Sequence, residues 1–279
     1  VREALGAAVD GLAAAGVEDP RLDAELLLGE AMGCERAMLV AKPAATVPAA
    51  AARVFGEMVR RRLRREPVAY ILGRKWFRSI ELAVDQRVLV PRPETELLVE
   101  IALERAPVRL LDVGTGSGAI ALAVADELTA CEITATDTSV AALGVARANA
   151  ERLGLANRVR FVEGTLPEDP PFDLILANLP YVAASDWASL QPEVTQWEPR
   201  EALLAGEDGL NAIRAFLSAF ERISLRIPEG NAFGGPMVAL EVGEGQASAV
   251  TRLLRDAGFS EVETRRDLAG IERVVVGQR

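Results

Sequence analysis

The residues best placed to do chemistry are Asn178, Leu179, Pro180 and Tyr181, which follow an apolar run, Phe172 to Ala177, of strand length. An Asn side chain carries a carbonyl acceptor and an NH2 donor, so it can hold a planar amide or an amine. Pro180 restricts Leu179 to an extended backbone, which fixes the direction of the Leu179 carbonyl. Two acceptors can thus grip the two hydrogens of one NH2 group while the Tyr181 ring closes over it. The nitrogen lone pair is then aimed at a methyl donor. The plain alternative is a strand that ends in an ordinary Asn-x-Pro turn.

A second stretch supplies a place for such a donor. Leu110 to Val113 reads as a strand feeding Gly114-Thr115-Gly116-Ser117-Gly118, a turn that opens a helix. Glycines let the backbone curl closely around a ligand, and the helix start offers free N–H groups. In a dinucleotide fingerprint the third glycine would come one residue later. This spacing, with Asp112 just before the turn, suits the carboxylate and sulfonium of a methionine-type ligand better than a pyrophosphate. Asp137 closes the next strand about twenty residues further on, where an acid can accept from both ribose hydroxyls; capping the helix from Ser139 is a compatible role. Thr165, after the third strand, stands where an adenine ring would reach. Upstream, Val90-Pro91-Arg92-Pro93-Glu94-Thr95-Glu96 forms a rigid extended entry to a helix that can bring Arg92 or Glu94 beside a ligand, or serve only as a cap with a surface arginine.

Composition removes other chemistries. The chain of 279 residues has no histidine, hence neither the commonest general base nor the commonest transition-metal ligand. Its two cysteines, Cys34 and Cys131, lie far apart and suggest neither a disulfide framework nor a clustered metal site. A formal charge of −10 opposes long-range attraction to a phosphate backbone, which disfavours nucleic acid as the main substrate. No apolar run approaches the roughly 18 residues that span a bilayer, and the first residues lack the layout of a signal peptide. A cytoplasmic protein with no membrane partner is expected.

These candidate residues need a scaffold. From Arg109 onward strands and helices alternate: strands at Arg109 to Val113, Glu132 to Thr136, Val159 to Val162, Phe172 to Ala177 and Met237 to Val242, then Glu261 to Thr264 and Arg273 to Val276 as an antiparallel edge. This predicts an α/β fold, a Rossmann-like, doubly wound and mostly parallel seven-stranded sheet. Residues 1–73 read as a small helical domain, with helices over Val1 to Ala15, Pro20 to Met32 and Ala49 to Arg65. Residues 74–90 read as a β-hairpin linker and 91–279 as the α/β domain. Pro67 to Gly73 is expected to have left the helix. The run Arg60 to Arg65 suits either an acidic partner or RNA, or a solvated helix end whose cations complement the dipole.

Several of these segments together resemble the bacterial peptide chain release factor glutamine methyltransferases of the PrmC/HemK family. The likeness rests on Pro67 to Gly73, Val90 to Glu96, Asp112 to Gly118 and Asn178 to Tyr181. It continues through Pro192-Glu193-Val194, Glu198-Pro199, Ala205 to Leu210 and Arg266 to Gly270 with Glu272-Arg273-Val274. The resemblance implies S-adenosyl-L-methionine as cofactor and methylation of the side-chain nitrogen of the glutamine in a Gly-Gly-Gln loop of release factors. It implies cofactor contacts from Asp112, Gly114 to Gly118, Asp137, Thr165 and Asn178, with Asn178 to Tyr181 and Arg92 on the glutamine side. Two departures stand out. Leu179 replaces the first proline of the usual Asn-Pro-Pro-Tyr quartet, and Thr165-Leu166 replaces an acid and an aromatic at the adenine site. Two other readings stay open: an adenine-amino methyltransferase that stacks a flipped base on Tyr181, and a methyltransferase-like binding module weakened at Leu179.

Overall fold

The computed structural model describes residues 1–167, 172–224 and 236–279. The chain divides into two compact units, Val1–Arg74 with Gln191–Trp197, and Lys75–Leu190 with Glu198–Arg279.

The first unit is helical: α1 (Arg2–Ala14), α2 (Pro20–Met32), α3 (Arg36–Ala41), α4 (Ala49–Leu63) and α5 (Val68–Leu72). Pro20 starts α2 at its first position, where a missing N–H costs nothing, and Gly33 ends it in the left-handed conformation at φ 63°. Leu12, Leu27, Leu28, Leu39, Phe55 and Ile71 form its core. Helix α5 differs from the sequence expectation. Pro67 and Gly73 bracket five helical residues, a stretch too short for periodicity to announce, and Tyr70 and Ile71 within it are buried.

The second unit opens with a two-stranded hairpin, β1 (Arg74–Phe77) and β2 (Ile80–Ala83), and continues with α6 (Glu96–Arg105). Next come β3 (Arg109–Val113), α7 (Ala119–Glu127), β4 (Glu132–Asp137), α8 (Val140–Arg152), β5 (Val159–Glu163) and β6 (Leu174–Ala177). After the short helix α9 (Pro192–Trp197), which counts with the first unit, follow α10 (Asn211–Ser224), β7 (Met237–Glu241), α11 (Ala247–Asp256), β8 (Glu261–Arg266) and β9 (Glu272–Gln278). The seven-stranded sheet runs β5-β4-β3-β6-β7-β9-β8. Its first five strands are parallel, and β9 pairs antiparallel with both β7 and β8. The order turns back between β3 and β6, and open α/β sheets bind ligands at such a switch point, beyond the strands' carboxyl ends. Val113 pairs with Ala177 across that junction and with Thr136 on the other side, so Gly114, Asn178 and Asp137 emerge on adjacent strands.

The arginine run of α4 is committed inside the first unit. Arg62, 6% exposed, pairs with Asp23 at 2.7 Å and with Glu193 at 2.7 Å. Arg65 holds the other Glu193 oxygen at 2.6 Å, Arg61 grips Glu66, and Arg60 pairs with Glu57. The Trp197 indole N–H donates to the Arg64 carbonyl at 3.2 Å. The solvated helix end describes Arg60 and Arg64, which are exposed, but not Arg62, which is buried, or Arg65, which is half-buried; these two meet a carboxylate about 130 residues away, because a charge removed from water must be paired.

Candidate active site

The glycine loop is tied to β4. The N–H groups of Gly114 and Thr115 both donate to the Thr136 carbonyl, at 2.8 and 2.9 Å. The Gly116 N–H donates to Asp137 Oδ2 at 2.9 Å. All three glycines have positive φ, at 74°, 57° and 85°, but their surroundings differ. A Cβ on Gly116 would meet nothing within 4 Å, whereas one on Gly118 would come within 2.8 Å of the Leu122 side chain and 3.3 Å of Ala146. The second glycine opens outward and the third serves the packing of α7 against α8.

Asp112 lies beneath the loop and is fully buried. Its Oδ2 accepts from the Thr115 hydroxyl at 2.6 Å and from the Ala121 N–H at 3.2 Å, while Oδ1 is buried without a partner among the described residues. Burial pushes its pKa up to about 7, against the lowering effect of those two hydrogen bonds. Asp137 does two jobs in one carboxylate. Oδ2 takes the Gly116 N–H and Oδ1 takes the Ser139 N–H at 2.8 Å, while Ser139 itself caps α8 through Ala142. Each carboxylate oxygen keeps a further lone pair for a ligand hydroxyl. The Thr165 carbonyl accepts from the Thr136 hydroxyl at 2.8 Å, and Leu166 packs on the sheet's core instead of facing the loop.

A cavity of about 200 Å3 gathers these residues. Gly114, Thr115, Gly116, Ser117, Asp137 and Thr165 line it, with Arg92, Asn178, Leu179 and Pro180 on the same wall system. Asp112, Gly118 and Tyr181 are not among the lining residues. The Asn178 NH2 donates to the Thr95 hydroxyl at 3.0 Å. Leu179 packs against the core, and its side chain is the nearest neighbour of Gly114, 3.5 Å from where a Cβ would stand. The Tyr181 carbonyl accepts from the Gln246 amide at 2.9 Å, and the Gln246 oxygen takes the Gly243 N–H at 2.9 Å. A Cβ on Gly243 would lie 2.9 Å from the Gln246 oxygen and 3.1 Å from the Tyr181 ring, so a side chain there would crowd both. Burial, with Glu241 nearby, pushes the Tyr181 phenol up to about 12, so it remains neutral.

Arg92 reaches the cavity wall with its Nη2 already on both oxygens of Glu198, at 2.6 and 2.8 Å. Glu198 is buried, which raises its pKa even though Arg92 opposes the rise. Sequence reasoning missed four supporting residues: Thr95, Glu198, Gln246 and Glu241. Thr95 passed as part of a helix entry. Glu241 did carry a signal, since an acid closes an otherwise apolar strand that the sheet buries on both faces.

Residues 3–73 match the family model of the PrmC N-terminal domain, and residues 93–194 match that of the methyltransferase small domain. A release factor glutamine methyltransferase from Bordetella pertussis is 45% identical over 92% of this chain and 94% of its own length. One from Geobacter sulfurreducens is 42% identical, covering 96% of this chain and 92% of its own. Among solved structures, the hMettl16 catalytic domain in complex with MAT2A 3'UTR hairpin 6 superposes with a TM-score of 0.55 at 16% identity, over 71% of this chain and 74% of that one; the likeness is one of fold. With relatives this similar over nearly the whole sequence, the chain belongs to the release factor glutamine methyltransferase family.

Proposed function

We propose that this protein transfers a methyl group from S-adenosyl-L-methionine to the side-chain amide nitrogen of the glutamine in the Gly-Gly-Gln loop of peptide chain release factors. The observation that carries this reading is Asn178: it lines the cavity beside the glycine loop, and its NH2 is anchored on Thr95, while its carbonyl oxygen has no hydrogen bond to a described residue and is available as an acceptor.

The residues present fit the cofactor. Gly116 leaves open space where a side chain would stand, Asp137 retains acceptor capacity for a ribose, and Asp112 holds a buried acceptor without a partner among the described residues. Gly116 and Asp137, with Gly114, Thr115, Ser117 and Thr165, are the residues that would hold it, while Asp112, sealed beneath the loop and off the cavity wall, would act only by bracing the loop through Thr115. Bound there, S-adenosyl-L-methionine supplies an electrophilic methyl group. An amide nitrogen is a weak nucleophile because its lone pair is delocalised into the carbonyl, so the protein's task is positioning. Orientation alone can supply up to about 7 to 11 kcal/mol. The Asn178 oxygen and the Leu179 carbonyl accept the two amide hydrogens and stabilise the positive charge that develops on nitrogen. No imidazole is available and none is required before attack. Arg92 is a cavity-wall residue held by Glu198, suited to bracing the entry segment around the substrate.

The test is mass spectrometry of the Gly-Gly-Gln tryptic peptide from release factors incubated with this protein and S-adenosyl-L-methionine, beside parallel arms with DNA and RNA. A gain of one methyl on the glutamine is expected. Label on nucleic acid alone would favour adenine-amino transfer, and cofactor binding with no transfer would favour a binding module.

A further inference from the structure

The stretch Asn178 to Tyr181 is tied at both ends. Upstream, Ala177 pairs with Val113 of β3 and with Leu240 of β7, which fixes where Asn178 leaves β6. Downstream, the peptide between Tyr181 and Val182 is gripped on both edges. Its N–H donates to the Leu203 carbonyl at 2.9 Å, and its carbonyl accepts from the Gln246 NH2 at 2.9 Å. Asn178, Leu179 and Pro180 line the cavity between these two ties.

Gln246 stands at the start of α11, and both ends of its amide are used. The oxygen accepts from the Gly243 N–H at 2.9 Å, and the NH2 also approaches the Asp208 carbonyl at 3.5 Å. Only one orientation serves both partners. A carbonyl can only accept and a backbone N–H can only donate, so the NH2 must face Tyr181 and the oxygen Gly243. Gly243 is also where the Tyr181 ring lies, since a Cβ there would come within 3.1 Å of it. One side chain thus holds the Tyr181 carbonyl and the residue beneath its ring at a set separation. Gly209 leaves room for that bond. At φ 75° it passes so close that a Cβ would stand 2.3 Å from the Tyr181 oxygen and 2.6 Å from the Gln246 nitrogen.

We propose that Gln246 is a positioning residue which, through the Tyr181 carbonyl and Gly243, sets the direction of the Tyr181 ring and the aim of the Leu179 carbonyl at the substrate amide. This rests on the reading that Asn178 to Tyr181 grip a glutamine amide. Losing the downstream tie frees that stretch to shift, whereas the glycine loop keeps its own bonds to Thr136 and Asp137. The effect therefore falls on transfer and not on cofactor binding.

The test uses Q246A and Q246E in the full chain. Glutamate keeps the length and can accept from Gly243, but an ionised carboxylate cannot donate to Tyr181. With a release factor as substrate, both variants should lower kcat by at least about tenfold, as expected of a misaimed substrate. Their S-adenosyl-L-methionine affinity, read by calorimetry, should stay near that of the parent. A spectroscopic arm is independent of turnover. The chain has two tyrosines, Tyr70 and Tyr181, so fluorotyrosine labelling gives one fluorine NMR signal for each, and Tyr181 is assigned by its loss in Y181F. The Tyr181 signal should shift in both variants while that of Tyr70 stays in place. Parent-like kcat in Q246E, or a Tyr181 signal at the parent's position in both variants, would overturn the proposal whatever the melting temperatures. If Q246A fails to fold, Q246E still decides it. If the parent methylates no release factor, the substrate reading fails while the fluorine signals still decide whether Gln246 sets the ring.

Discussion

Asn178 and Asp112 show how differently two polar residues of one site are held. Asn178 is half-buried, anchored by one hydrogen bond, and its replacement by Ala removes a substrate acceptor without touching the glycine loop. Turnover should fall by at least about tenfold, with cofactor affinity unchanged by calorimetry. Leu179 packs by its side chain while its proposed contact is the carbonyl, so Leu179→Pro should leave turnover close to the parent's in the same assay. A large gain would mean that the quartet is a weakened version of the family's. Asp112 is the opposite case. In the unfolded chain the carboxyl releases its proton near its ordinary value of 3.8, but burial keeps the proton on the folded chain up to about 7. Between those values the folded state binds more protons, so the Asp112 contribution to stability declines as pH rises through that window. Asp112→Asn should therefore flatten part of the stability–pH curve and raise the melting temperature at about pH 8 relative to the parent. A curve with the whole of the parent's slope would show that the decline arises elsewhere.

At the scale of elements, the loop after β3 separates function from packing within five residues. Gly116→Ala and Gly118→Ala both place a side chain at positive φ, a strain of roughly 1–2 kcal/mol. Only the second also drives a methyl into Leu122 and Ala146, which adds about 1–3 kcal/mol of overpacking. Chemical denaturation should rank Gly118→Ala as the less stable, while calorimetry should show lost cofactor affinity in Gly116→Ala even where it is folded. Asn149 of α8 latches the same loop to the hairpin. Its NH2 donates to the carbonyls of Ala83 and Ser117 at 3.0 and 2.9 Å, and its oxygen takes the Ala83 N–H at 2.7 Å. Much of this was legible in the sequence. The strands β3, β4, β5 and β6 read from short apolar runs ending in Gly or polar residues, and their carboxyl ends name the loop, Asp137 and Asn178. What stayed hidden depends on residues far apart in the chain. Thr95 meets Asn178 across 83 positions and Asn149 meets Ala83 across 66, and no local periodicity marks either partner. Helix α10 did carry a local signal, since Ile213, Phe216, Leu217 and Phe220 recur at helical spacing and all enter the core. Among the described residues no helix is long and apolar enough to cross a membrane.

At the scale of the whole molecule, the helical unit is not contiguous in sequence. Glu193, from the returning segment, sits between the guanidinium groups of Arg62 and Arg65. Burial pushes its carboxyl up, yet the hydrogen bonds from Arg65 and Arg62 outweigh this and hold it below its ordinary value. It therefore contributes stability above the unfolded carboxylate pKa and loses it as the pH falls through the folded one. Glu193→Ala leaves buried Arg62 with Asp23 as its remaining carboxylate and should cost on the order of 3 kcal/mol in denaturant unfolding, a loss that shrinks in acid. The division also has a consequence in time. A ribosome making this chain releases Val1–Arg74 first, but Gln191–Trp197, the piece that completes that unit, emerges only after β3 to β6. Until then the nascent helices carry two inward cations with no Glu193 to receive them. The first unit to be synthesised is thus the later one to be finished, and protease resistance of Val1–Arg74 in stalled nascent chains should rise sharply only once residue 197 has cleared the exit tunnel.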